Sequence, residues 1–378
     1  MHMNKVALFI TYTMVTPVVG GAFMRAVRLA TEMAHRGWQC VICNHGPMLQ
    51  DPKVAAAPSS VRILTLDRER PGLTSEIAAR EFQGLDPAIF IMGETPFEQM
   101  KLFYEAGQLL NCPFVVLDQF YNNDSLPSKE GVDLFLLYGL LSFWENELDL
   151  SAPYDITPPF IEAVTSKRDL PVPAQFHDFS WITFVAYDEY VCKKGIELLS
   201  QFKDERAAII AISSNPDMCR DLARSRGLRP ERLVVLPLQD DLNVFGFFAA
   251  SSFVLVSNGF LQIMEALAMG CPVIALERGL GVGMTELNID SRFVPYVSFA
   301  EALDQQLARM NKWMLATPFS EELLARLGRE RHGVSYCADR IEQLYCQWHS
   351  QPGPRLAKGQ RMNPTNWIYR LWPWGEGR

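Results

Sequence analysis

Residues Phe253–Glu277, FVLVSNGFLQIMEALAMGCPVIALE, decide the fold. Phe253–Val256 is a short unbroken apolar run, the pattern of a strand buried on both faces. Ser257, Asn258 and Gly259 are cap and turn residues, so a helix starts there. Phe260, Ile263, Met264, Leu267 and Ala268 give that helix one apolar stripe. Gly270 stands where a left-handed C-cap is wanted, Pro272 follows as a stop, and Val273–Leu276 is the next buried strand. Asn258, Gln262 and Glu265 share a polar face near the helix start. Unpaired N–H groups and the helix dipole attract phosphate at such a start. A carboxylate two turns in can accept hydrogen bonds from vicinal hydroxyls, such as those of a ribose. On pattern alone, Glu265 reads equally well as a solvated helix residue.

The same alternation extends in both directions. Lys5–Thr11 reads as a strand, Met14–Gly21 as a loop, and a helix follows to about Arg36 with Phe23, Val27, Ala30 and Ala34 on one face. Gly37 stops it, and Trp38–Cys43 is the next strand, a β-α-β unit that crosses over right-handed onto a parallel sheet. Further strands are read at Val61–Leu66, Pro87–Met92, Pro113–Leu117 and Val132–Tyr138, with helices near Ser75–Phe82 and Phe97–Leu110. In the second half strands fall at Trp181–Ala186, Ala208–Ile212 and Leu233–Leu236, with helices near Asp217–Arg226 and Asp241–Ala250. Helices at Glu301–Met310, Glu321–Arg331 and Ala338–Trp348 follow. The fold class is α/β with two doubly wound parallel sheets. Pro158, Pro159, Pro171 and Pro173 mark the boundary, and 378 residues suit two domains.

Composition narrows the partners. The chain is 48% hydrophobic and 21% charged, which fits a globular protein. A net charge of −8 argues against a polyanion-binding surface, and no nucleic-acid motif is present. Most of the eight cysteines sit inside apolar runs. Cys40 and Cys43 form a C-x-x-C inside a strand without a second pair, which favours core filler over metal. That usage suits a reducing compartment and a cytoplasmic location. No secretory leader is read, and no apolar run reaches the ~18 residues of a spanning helix.

Three segments resemble one family. EALAMGCPVIAL (265–276) resembles the donor-nucleotide segment of GT-B glycosyltransferases. GGAFMRAVRLATEMAHRGWQCVIC (20–43) resembles their opening, with Trp38 where the family's Arg-Gly-His-x-Val has its His. YDEYVCKKGIELLSQF (187–202) resembles the Lys-Gly-helix segment of retaining members. The resemblance implies GT-B architecture: two Rossmann-like doubly wound domains facing a central cleft. The acceptor domain would cover 1–165, the nucleotide-sugar domain 166–345, and a tail from 346 to 378 would pack back on the first. The implied substrate is a nucleotide-diphosphate sugar, a UDP-sugar by preference, with no separate cofactor and no metal. Glu265 would bind the ribose and Lys194 would meet the diphosphate in the transferring step. Ser257, Asn258, Gly259 and Gln262 would line the donor, and Leu238 would lie near the base by analogy of fold.

Ligands on such sheets gather at the carboxyl ends of strands. Gly20 and Gly21 would let an acceptor approach the backbone, and Glu94 and Gln119 would hold it. Asp118 is the best-placed carboxylate for a base that deprotonates an attacking hydroxyl. Its plainer role is a cap or loop hydrogen bond. The Gly-rich stretch Glu277–Glu286 would cradle sugar or phosphate, or serve as a connector.

The motifs are incomplete. Tyr187, Asp188, Glu189 and Tyr190 stand where retaining members carry an Arg before the Lys, and Ser257 stands where they carry a second Glu. No His lies between Thr11 and Arg25, where inverting members keep one. Two other functions follow: a catalytically silent GT-B-like binding or partner subunit, and a sugar-nucleotide epimerase or hydrolase. The tail Gln351–Arg378 joins Trp367, Trp372 and Trp374 to Arg355, Lys358, Arg361 and Arg370. Packing on the first domain is its commoner fate, and contact with a membrane surface or an anionic protein is the other.

Overall fold

The computed structural model describes residues 5–11, 21–44, 58–65, 71–93, 97–118, 131–138, 154–157, 160, 164–186, 189–202, 204, 206–238, 242–257, 260–276, 296–297, 301–315 and 333–350. The chain divides into two units, Met1–Pro158 with Gly333–Arg378, and Pro159–His332. The first contains β1 (Val6–Thr11), α1 (Gly21–His35), β2 (Gln39–Asn44), β3 (Val61–Thr65), α2 (Ser75–Gln83), β4 (Ile89–Met92), α3 (Phe97–Leu109), β5 (Phe114–Asp118), β6 (Leu134–Tyr138) and β7 (Tyr154–Thr157). The second contains β8 (Ser180–Ala186), α4 (Glu189–Ser200), β9 (Ala207–Ser213), α5 (Pro216–Ser225), β10 (Leu233–Pro237) and α6 (Val244–Ala250). It continues with β11 (Ser251–Ser257), α7 (Phe260–Ala268), β12 (Val273–Leu276), β13 (Tyr296–Val297) and α8 (Leu303–Leu315). Helix α9 (Gly333–Ser350) belongs again to the first unit.

Each unit is one parallel sheet between helices. The first has seven strands in the order β3-β2-β1-β4-β5-β6-β7, the second six in the order β10-β9-β8-β11-β12-β13. Every strand pair in both is parallel. Both sheets are thus doubly wound, with the order reversing beside the first strand of the unit.

The apolar runs are unbroken because both faces are covered. In the second unit Ile182, Phe184, Ile209, Leu255 and Ile274 pack with Val191 and Ile196 of α4, Cys219 of α5 and Met310 of α8. The intervening Trp181, Val185, Ile210, Val254 and Val256 are as deeply buried. They face α6 and α7, where Trp181 stacks on Phe247 at 6.2 Å between ring centres.

Helix ends follow the glycines. At the end of α7, Gly270 has φ +74° and donates its N–H to Leu267 O at 2.8 Å, while Cys271 N–H reaches Ala266 O at 3.0 Å. Gly37 does the same for α1: φ is +88°, Gly37 N–H meets Ala34 O at 3.0 Å, and Trp38 N–H meets Met33 O at 3.1 Å. Both are paired 6→1 and 5→2 caps that only a residue at ease with positive φ completes cheaply.

The division falls after Pro158, and α9 is grouped with the first unit. The cause is packing. Leu170, Val172 and Phe176 are buried in the second unit, and Trp181 Nε1 donates to Phe176 O at 2.8 Å. Lys167 Nζ lies 4.5 Å from the Trp181 ring centre, and burial holds its ammonium below the ordinary pKa while Asp178 opposes that shift.

Helix α9 is fixed on the first unit at two places. Trp38, at the α1–β2 corner, donates Nε1–H to Glu342 at 2.9 Å and meets Tyr345 edge-on at 5.0 Å. Arg36 beside it bonds Glu342 at 3.1 Å and also pairs with Asp339 and Glu32. Burial pulls the Arg36 pKa down, but its hydrogen bonds to Asp339, Glu32 and Glu342 outweigh that and raise it. Further along, Tyr336 donates to Asp155 of β7 at 2.8 Å, and Arg340 pairs with the same carboxylate. Residues 321–331 and the tail 351–378 lie outside the described residues.

Candidate functional site

In the second unit the strand order reverses between β8 and β11. The chain leaves β8 for α4 on one face and β11 for α7 on the other, which opens a crevice at the carboxyl edge. Ser257 closes β11, and Gln262 and Glu265 are the third and sixth residues of α7. Gln262 is buried and Glu265 half-buried. The first turn of α7 carries no acid, so its N-terminal dipole is unopposed there.

Lys194 is the sixth residue of α4, about 7.5 Å along the axis from the helix start. Its ammonium lies 3.6 Å from Glu197, which also meets Arg226 at 3.4 Å. That pair is partly exposed and contributes about 1 kcal/mol, so the lysine can turn to another anion at little cost. Glu189 occupies the first turn of α4, paired with Lys193 at 2.7 Å, and opposes an anion at that helix start. Lys194 and Glu265 stand on opposite faces of the sheet, so one ligand engages both only by straddling the carboxyl edge.

Gly195 has a packing role. A Cβ there would come within 2.2 Å of Phe184 Cζ, which is fully buried. Leu238 is buried one residue beyond β10, and its N–H donates to Ser213 O at 2.8 Å, which extends the β10–β9 ladder to the same edge.

The remaining residues expected in a site are in the first unit or outside the description. Gly21 opens α1, and Asp118 closes β5 in register with Leu137. Gly20, Glu94, Gln119, Asn258, Gly259 and residues 277–286 lie outside the described residues.

Sequence reasoning missed the polar residues that finish the strands of the first unit. Thr11, Asn44 and Thr157 close β1, β2 and β7, and all three are fully buried. Arg25 of α1 is 2% exposed. Thr11 Oγ1 is buried with no hydrogen-bond partner, which costs about 1–3 kcal/mol unless something satisfies it. The signal was visible: ALFIT and VICN are apolar strands ending on one polar residue.

The cysteines have no such place. None of the eight forms a disulfide, and Cys40 and Cys43, three apart on β2, point to opposite faces. Burial pushes both thiols up to about 12. Among the described residues no group of His, Cys, Asp and Glu is arranged to hold a metal ion, and no helix is long and apolar enough to cross a membrane.

No protein-family model matches the sequence, and no curated protein matches it. Solved structures do. CalG4, the calicheamicin glycosyltransferase, is 12% identical, with 92% of this chain and 100% of that one covered at a TM-score of 0.63. The fold is that of the GT-B glycosyltransferases. A putative UDP-N-acetylglucosamine 2-epimerase from Listeria monocytogenes is 13% identical over 93% of this chain and 98% of its own, at a TM-score of 0.61. Anabaena Alr3699/HepE, solved in complex with UDP and glucose, is 13% identical over 91% of this chain and 100% of its own, at 0.55. At these identities the likeness is one of GT-B fold alone.

Proposed function

We propose that the protein is a glycosyltransferase that binds a nucleotide-diphosphate sugar, a UDP-sugar by preference, on its second unit. The observation that carries this is the β11–α7 connection. It brings a helix start with no first-turn acid and a half-buried carboxylate, Glu265, to the point where the strand order reverses. In this reading Glu265 accepts hydrogen bonds from the ribose hydroxyls. The α7 amides, Ser257 and Gln262 meet the phosphates, with Asn258 and Gly259 as further donor contacts. Leu238 flanks the base. Lys194, released from Glu197, neutralises the charge that develops on the departing diphosphate. The acceptor belongs to the first unit, with Asp118 as base and Gly20, Gly21, Glu94 and Gln119 as contacts. The UDP in the HepE complex supports the donor class.

Calorimetry tests it. UDP should bind, and Glu265→Ala should weaken it about 10- to 100-fold, the worth of hydrogen bonds to a charged group. No heat with UDP or any other nucleoside diphosphate would sink the proposal.

The acid at the start of α4 and the Lys194–Glu197 pair favour a second reading, a binding or partner subunit without turnover. UDP binding unaccompanied by donor consumption with any acceptor supports that one. Donor consumed without acceptor supports an epimerase or hydrolase, the former being the class named for the Listeria neighbour.

A further inference from the structure

We infer that the first unit carries an anion-binding subsite of its own, where its strand order reverses between β1 and β4, that takes a phosphate or carboxylate group. Resting on the reading that the acceptor belongs to this unit, it makes the acceptor an acidic molecule.

Thr11 closes β1 at its carboxyl end. Its side chain is fully buried and its hydroxyl has no partner. Nearly all buried hydroxyls in native proteins are bonded, so an open one at the carboxyl end of a strand marks a place kept for a ligand. Register defines what surrounds it. Thr11 is level with Asn44 of β2, and Ile10 is level with Met92, which puts Gly93 beside Thr11. From Gly93 the same row runs through Leu117 and Leu136 to Asp155. In-register residues of parallel strands share a face. Asp155 is bonded to Tyr336 of α9, so the Thr11 hydroxyl lies on the α9 side of the sheet.

Gly93 keeps the space beside that hydroxyl open. A Cβ there would stand 3.5 Å from Thr11 Oγ1 and 3.1 Å from Ile10 O. The right-handed crossover from β1 to β2 brings the start of α1 over this carboxyl edge. The first turn of α1 holds no acid, in contrast to Glu189 in α4, and Arg25 follows it on a buried position. Arg25 lies two turns before Glu32 on the same face of α1, and Ser335 of α9 donates to Glu32 at 3.2 Å, so the buried Arg25 lies on the α9 side of the sheet, as the hydroxyl does. Amide dipoles, a guanidinium and a hydroxyl donor together favour an anion over a neutral sugar.

The test uses the full chain and inorganic phosphate, read by calorimetry and thermal unfolding. Thr11→Val keeps the shape and removes the hydroxyl. Without phosphate this variant should melt at or above the wild-type temperature, because the hydroxyl has no bond to lose. Its phosphate affinity should fall about tenfold or more, with UDP binding unchanged. Gly93→Ala should weaken phosphate as well. The phosphate response should persist in saturating UDP, which fills the α7 amides, and this separates the subsite from the donor reading. Four results overturn the inference: wild type that phosphate neither binds nor stabilises; Thr11→Val that binds phosphate as well as wild type; Thr11→Val that loses stability, which would show a structural bond; and phosphate that competes with UDP.

Discussion

Gly195 shows how one residue ties a motif to a fold. The Lys-Gly pair in the middle of α4 resembles a donor-binding segment, yet the glycine is required by Phe184, whose ring occupies the space a side chain would need. Gly195→Ala should therefore destabilise the second unit by about 1–3 kcal/mol through overpacking, measured by urea unfolding. A variant as stable as wild type would show that α4 can lift off β8. The lysine has no such structural reason, so it retains its functional reading. Thiols offer a second check at this scale. Cys346 is the exposed cysteine and the other seven are buried. An aromatic disulfide reagent should label one thiol per native chain quickly, and the rest only on unfolding.

The elements were legible for a physical reason. Strands covered on both faces read as unbroken apolar runs, and helices that stop at Gly37 and Gly270 announce their ends. β13 was invisible because a two-residue strand has no period. The partner of α9 was hidden differently: its apolar face showed, and the resemblance implies a terminal helix that crosses back to the first domain, but its contact there is Trp38, 304 residues from Glu342 in sequence. The resemblance pointed to position 38 only as a departure from histidine. The structure supplies the reason, since an indole both fills the corner and donates to Glu342. Trp38→Ala should cost about 3–5 kcal/mol, the range for deleting a buried aromatic. It should raise hydrogen exchange across Gly333–Ser350, with α4 to α7 unaffected. Protection unchanged in α9 would show that Arg36 and Asp155 hold the helix by themselves. The candidate site was legible only in part. The α7 motif stood out because glycine and proline frame it, whereas Thr11 was passed over as an ordinary strand end.

The whole molecule consists of one continuous unit inserted into a discontinuous one. Residues Pro159–His332 made alone should fold cooperatively, because their sheet is covered on both faces from within that span. Met1–Pro158 made alone should not reach native structure until a chain beginning at Gly333 is supplied. A cooperative transition in the first fragment by itself would contradict the role given to α9. Alkali gives a second test. The Cys40 and Cys43 thiols rise from an ordinary 9.0 to about 12 in the fold. Below pH 9 neither state ionises them and their contribution is complete. Between pH 9 and 12 the unfolded chain loses protons that the folded chain keeps, so stability should fall as pH rises. Replacing both with serine or alanine should flatten that slope.

The insertion also sets an order of events at the ribosome. Glu342, the acceptor for the Trp38 indole, is made 304 residues after the residues it covers, roughly 15–60 s later at common rates of synthesis. Throughout that interval the nascent first lobe displays an uncovered tryptophan and a helix flank awaiting its mate, a surface that a chaperone at the tunnel exit would hold until Gly333–Ser350 emerges.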